Sequence, residues 1–202
     1  NTKDYPELVI NSINMTEMLD YVFTDQLDRL TDFLSERIKT LESSGVDFAA
    51  IASNTPHIIF DRLVNRVKIP LVSIVEETCK VIIDKKITRA GLFGTKSTMT
   101  SGFYQRVAEK YGIEVLVPDP IQQDYINEKY MGELIYHNIL PETRNQLIHI
   151  VRDIQANQSM QGLILGGTEL PLILSQTDFS DIEIFDTTQI HVESIVAKMI
   201  ES

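Results

Sequence analysis

The chain has 202 residues, of which 43% are apolar, and it carries a formal charge of −11. That length holds one large domain or two lobes of about 100 residues each. So acidic a surface excludes nucleic acid as a partner, because phosphate binding needs a basic face. No stretch of the sequence approaches the roughly 20 uninterrupted apolar residues of a membrane span, so no membrane partner is expected. The opening residues Asn1 to Pro6 carry no apolar leader run, so no signal peptide is expected. With a single cysteine, Cys79, no internal disulfide can form, which fits a cytoplasmic location.

Taken in chain order, residues 8–13 read as a strand rich in Val and Ile. Residues 24–42 read as a helix, with Leu27, Leu30, Phe33, Leu34, Ile38 and Leu41 at helical spacing and Gly45 as terminator. Residues 46–52 form the next predicted strand, and 57–67 a helix stopped before Pro70. Residues 74–83 read as a helix carrying Cys79 as a buried structural thiol, and the polar 84–88 as a crossover. Then follow a strand at 89–93, a helix at 97–111 closed by Gly112, and a strand at 113–117. Helices at 125–139 and 142–154 are separated by Pro141, which suits a helix start. Strands at 163–165 and 182–185 and a helix at 189–200 complete the chain. Such alternation is the mark of an α/β fold with parallel sheets.

Two segments read as versions of one device: Ile51-Ala52-Ser53-Asn54-Thr55-Pro56-His57 and Leu165-Gly166-Gly167-Thr168-Glu169-Leu170-Pro171. Each follows an apolar run, turns on small residues and presents hydroxyl or amide groups before a helical pattern. This geometry sets backbone N–H donors and short polar side chains at the carboxyl edge of a parallel sheet. Two such turns facing each other would hold a small anion.

These residues resemble the aspartate/glutamate racemase family, the cofactor-independent amino-acid racemases. In that family the first turn usually reads Cys-Asn-Thr-x-His and the second Gly-Cys-Thr-Glu-x-Pro. Asn54, Thr55 and His57 match the first, and Gly166, Thr168, Glu169 and Pro171 the second. Leu92 to Met99 with Phe103-Tyr104 resembles a third landmark, and Asp186-Thr187 with His191 a fourth. Ser53 and Gly167 stand where the two catalytic thiols would be.

The resemblance implies two pseudo-symmetric Rossmann-like lobes, 1–86 plus 188–202 and 88–187, with the site in the cleft between them. It also implies a homodimer, no cofactor, and a small acidic amino acid as substrate. Asn54, Thr55, Thr95, Thr98, Thr168, Glu169 and His191 are the expected substrate-binding residues, around the catalytic positions Ser53 and Gly167. Family members begin with a strand and a Gly-rich loop, and this chain starts just before what looks like the second strand. The expectation is that residues of the native protein precede Asn1, because a missing central strand leaves unpaired edges in the core.

The chemistry at the two vacant positions is the departure. Removing an α-proton needs a base on one face of the α-carbon and an acid on the other, and thiols near pKa 8.5 suit both roles. A serine hydroxyl is far weaker, so Ser53 needs a partner to deprotonate it, and His57 is nearest in sequence. Gly167 offers no side chain. A symmetric two-thiol racemase is therefore not possible, which leaves altered chemistry or a catalytically silent binding protein.

Read without the resemblance, the same residues have plain structural uses. Asn54 and Thr55 suit an N-cap, as do Thr95, Ser97 and Thr98, and Gly166-Gly167 suits a tight turn. Glu169 suits either a substrate ammonium or a helix dipole. His191 suits a pocket or a structural role. His137 and His149 lie on polar faces, Arg62 and Arg66 share a solvated one, and no metal-ligand spacing is present.

Overall fold

The computed structural model describes residues 6–201; the polar stretch before Pro6 lies outside them. The architecture is mixed α/β with parallel strands throughout its two sheets. In the first, β1 (Ala49–Ala50) pairs with β2 (Leu71–Val72). The second has the order β4-β3-β5-β6, built from β3 (Arg89–Gly94), β4 (Glu114–Leu116), β5 (Gly162–Gly166) and β6 (Glu183–Asp186). Strands β3 and β5 are central and buried on both faces, which is why they read as continuous apolar runs rather than alternating ones.

Three apolar clusters hold these sheets. On one face of the larger sheet, α7 (Pro120–Gly132) and α8 (Pro141–Gln158) bury Ile126, Tyr130, Leu147, Ile150 and Ile154 against Phe93, Leu163 and Leu165. On the other face, α4 (Ile74–Asp84) and α6 (Phe103–Glu109) bury Ile74, Cys79, Ile82 and Tyr104 against Leu92 and Ile164. The Cys79 thiol is fully buried, and that burial pushes its pKa up to about 12. Around the smaller sheet, α1 (Met15–Phe23) and α2 (Leu27–Ser43) set Met18, Leu30, Leu34 and Ile38 against Ile59 and Leu63. The terminal helix α9 (Thr187–Glu201) packs against α4.

Several sequence expectations are corrected. Residues 8–13 join no β-ladder and form no regular element, with Leu8 71% and Ile10 85% exposed. Strand-forming side chains do not make a strand without a neighbouring edge, and none among the described residues lies beside them. Helix α1 was not anticipated, although Asn14 marks its start by accepting hydrogen bonds from the N–H groups of Thr16 and Glu17. The expected helix at 57–67 is a 3₁₀ turn, Thr55–Ile59, running into the short α3 (Phe60–Val64). The expected helix at 97–111 breaks into α5 (Lys96–Thr100) and α6, because Gly102 adopts φ +75° between them. Strand β2 is too short to announce itself.

The carboxyl ends of β3 and β5 approach closely. A Cβ built on Gly94 would sit 2.8 Å from the Gly166 carbonyl oxygen and 2.8 Å from Thr98 Cγ2. Neither obstacle is the free end of a flexible side chain. We therefore expect Gly94→Ala to fold but to lose about 1–3 kcal/mol of stability, measured by urea denaturation at neutral pH.

Candidate functional site

Every landmark turn emerges at the carboxyl edge of a parallel strand. Asn54 and Thr55 follow β1, Thr95 and Thr98 follow β3, Gly166 to Glu169 follow β5, and Thr187 follows β6. The first buried group is a triangle of hydroxyls. Thr55 Oγ1 lies 3.3 Å from Thr95 Oγ1 and 3.3 Å from Thr98 Oγ1, and these two are 3.0 Å apart. Thr95 also caps α5 by accepting from the Thr98 N–H at 3.2 Å. The capping and clustering roles thus coincide in one residue.

Beside the triangle runs a chain of buried hydrogen bonds. The Tyr104 hydroxyl donates to Asn54 Oδ1, Asn54 Nδ2 donates to Thr187 Oγ1 at 3.0 Å, and Thr187 Oγ1 donates to the Leu165 carbonyl at 2.8 Å. Asn54, Tyr104 and Thr187 are at most 2% exposed. Both ends of the Asn54 amide are engaged, which leaves one amide hydrogen for anything else. Tyr104 and Thr187 were not picked out as site residues, although each lies inside a landmark segment.

The two histidines are held by backbone. The Ile74 N–H donates to His57 Nε2 at 3.2 Å, so the ring proton sits on Nδ1, which donates to the Ser53 carbonyl at 2.9 Å. His57 is therefore not aimed at the Ser53 hydroxyl, and no hydrogen bond reaches that hydroxyl among the described residues. His191 Nε2 donates to the Val72 carbonyl at 3.1 Å and its ring lies edge-on to His57, centroids 6.4 Å apart. This ties His191 to the end of β2, beside His57. Burial lowers both pKa values, His57 to about 3, with the neighbouring His191 pushing the same way.

The Gly167 side is built differently. Gly167 is buried, Thr168 is exposed and Glu169 is half-buried. The Thr168 hydroxyl donates to Glu169 Oε2 at 2.7 Å, and the Tyr130 hydroxyl donates to the same oxygen. Gly167 has no positive φ, so its backbone does not call for glycine. Its side-chain space is filled: an added Cβ would lie 2.5 Å from Tyr130 Cε2 and 2.8 Å from the Tyr130 oxygen. Nothing in the sequence signalled Tyr130, which reads there as one more apolar position of a helix. Gly166 links this side to the threonines, since a Cβ there would touch Thr98 Cγ2 at 3.3 Å. A separate cleft of about 410 Å³ opens beside His57, lined by Phe60, Ser73, Glu76, Phe103 and Arg106 but by none of the threonines. Among the described residues no three of His, Cys, Asp and Glu are grouped as a metal site requires, and no helix is long and apolar enough to cross a membrane.

Comparison with known proteins gives the family and the fold. The family model of the Asp/Glu/hydantoin racemases matches residues 1–195. The chain belongs to that family. An aspartate racemase homologue from Pyrococcus horikoshii is 32% identical, with a TM-score of 0.85 over 99% of this chain and 86% of that one. The broad specificity amino-acid racemase RacX of Bacillus subtilis is 32% identical over 61% of this chain and 53% of its own length. A glutamate racemase from Aquifex pyrophilus is 27% identical over 74% of this chain and 57% of its own. Its solved structure, superposed at TM-score 0.61 and 23% identity, shows the shared fold. The chain spans a little over half the length of these two curated racemases. The racemase fold, with its two lobes, is thus common ground.

The buried His57 has a thermodynamic consequence. The unfolded chain binds a proton near pH 6.5, whereas the folded ring resists protonation until about pH 3. Between those values the unfolded state holds the extra proton, so stability falls as pH falls. We expect the loss over pH 6–4 to be steeper in the natural protein than in His57→Gln by up to about 1.4 kcal/mol per pH unit. Urea denaturation at stepped pH measures it, and equal slopes would refute it.

Proposed function

We propose that this protein is an isomerase of the aspartate/glutamate racemase type, acting on a small acidic amino acid without a pyridoxal cofactor. The substrate would lie between a lobe of residues 1–86 with 188–202 and a lobe of residues 88–187. The observation that carries the reading is the buried triangle of Thr55, Thr95 and Thr98. It sets three hydroxyl groups, each able to donate to a carboxylate, where the turns after β1 and β3 meet. Lys96, the lysine at these turns, is ion-paired with Asp124 at the surface rather than turned inward as a Schiff-base amine would be. The names of the relatives, an aspartate racemase homologue, a glutamate racemase and a broad specificity amino-acid racemase, support an amino-acid substrate.

A second reading is favoured by the two vacant catalytic positions. Among the described residues no hydrogen bond joins the Ser53 hydroxyl to a base, His57 is tied to backbone groups, and Gly167 has no side chain at all. A protein so equipped keeps the pocket and binds the amino acid without inverting it. Incubation with each hand of aspartate and glutamate in D₂O, followed by proton NMR of the α-position, separates the two. Exchange with inversion supports the racemase. Binding without exchange supports the silent binder. Absence of both binding and exchange overturns the pocket altogether.

Subunit pairing and a cytoplasmic location belong to the same proposal. Helices α7 and α8 bury most of their apolar residues in the core, yet Ile121 in α7 at 83%, and Tyr136 at 74% and Ile139 at 38% in the connection between the helices, remain exposed. Light scattering at micromolar concentration should return about twice the 23.0 kDa chain mass. A clean monomer would end this part of the proposal.

A further inference from the structure

We propose that Tyr130 is a specificity-determining residue of this pocket: it occupies the space left on the Gly167 side and holds Glu169 where the carboxylate receives a ligand's ammonium group. The inference rests on the amino-acid pocket proposed above and goes beyond it by naming the group that the ammonium meets and what positions it.

Three observations converge. Gly167 does not adopt a left-handed conformation, so its backbone tolerates a side chain; Tyr130 is what excludes one, with ring carbons at 2.5 and 2.9 Å from an added Cβ. Tyr130 is only 6% exposed and is packed in the α7–α8 cluster, so the ring cannot swing aside at small cost. Its hydroxyl and that of Thr168 both donate to Glu169 Oε2.

The chemistry follows from the protonation states. Burial and the adjacent carboxylate raise the Tyr130 pKa, so the phenol stays neutral and remains a donor across the physiological range. The two hydroxyls converge on one oxygen of the Glu169 carboxylate and so fix where that group sits. This face presents a positioned carboxylate whose other oxygen can accept from a ligand, which suits an ammonium donor better than a hydroxyl or an anionic group in the same place. The preferred ligand is an α-amino acid over its 2-hydroxy counterpart. Tyr130 acts through Glu169 and is a positioning residue.

The test uses the full chain and calorimetric titration with aspartate and with malate, its 2-hydroxy analogue. Tyr130→Phe keeps the ring that fills the Gly167 space and removes the donor to Glu169. We expect the natural protein to bind aspartate more tightly than malate. In Tyr130→Phe the aspartate affinity should fall by about tenfold or more while malate changes little, so that the preference collapses. An unchanged preference would overturn the positioning role. If the natural protein binds neither ligand, the pocket reading of the preceding subsection fails, and a ligand-free measurement still decides the space-filling role. Gly167→Ala should lower the melting temperature by at least about 3 °C in the natural protein. In a Tyr130→Leu background the same change should cost less than half as much. Equal costs in both backgrounds would show that Tyr130 does not fill that space.

Discussion

One chain of hydrogen bonds supports everything around it, from the Tyr104 hydroxyl through the Asn54 amide and the Thr187 hydroxyl to the Leu165 carbonyl. It joins four segments distant in sequence: α6, the turn after β1, the start of α9 and the end of β5. All of its polar atoms are taken out of water, where an unpaired group costs about 1–3 kcal/mol. Each link therefore binds the next by the penalty of breaking it as much as by its own strength. Because the smaller sheet contributes Asn54 and the larger one Leu165, the chain also sets the two sheets' edges in register. The threonine triangle beside it inherits that register, since Thr55 belongs to one side and Thr95 and Thr98 to the other.

Glycine permits this closeness at two strand ends. Gly94 and Gly166 have no room for a Cβ because Thr98 and the opposing carbonyls stand in its place. Gly167 is a different case, for there the obstacle is a side chain from a separate helix. A backbone that could bear a side chain and a neighbour that forbids one make a local exchange of volume between α7 and the β5 turn. That exchange gives the two turns, so alike in sequence, unlike surroundings: Ser53 stands over a floor of neutral histidines, Gly167 against a phenol and a carboxylate.

Much of this was legible in the sequence. The strand–turn–helix device at Ser53–His57 and at Gly166–Pro171 located the sheet edges, and continuous apolar runs located β3 and β5. What failed did so for physical reasons. Residues 8–13 carry the side chains of a strand, but β-structure is a property of pairs, and composition says nothing of the partner. The break at Gly102 was hidden because helical periodicity on both sides of it stays nearly in phase. At the site, residue type could propose Asn54 as a ligand-binding group, yet could not show that both ends of its amide are already engaged. His57 was nearest to Ser53 in sequence and turned to the backbone in space. Tyr130 lies far from any turn motif, and its role depends on a distance that no spacing encodes.

The burial of Cys79 has a consequence for how this protein withstands its surroundings. Thiol enzymes depend on an accessible sulfur with a depressed pKa, and the same property exposes them to peroxides and alkylating agents, which attack the thiolate. Here the single thiol is fully enclosed between α4 and the sheet, with its pKa pushed up to about 12. The thiolate that oxidants seek is almost absent, and no reagent reaches it without unfolding. The turns at Ser53 and Gly167 present hydroxyls, amides and a carboxylate, so an oxidant specific for thiols finds no target among these side chains.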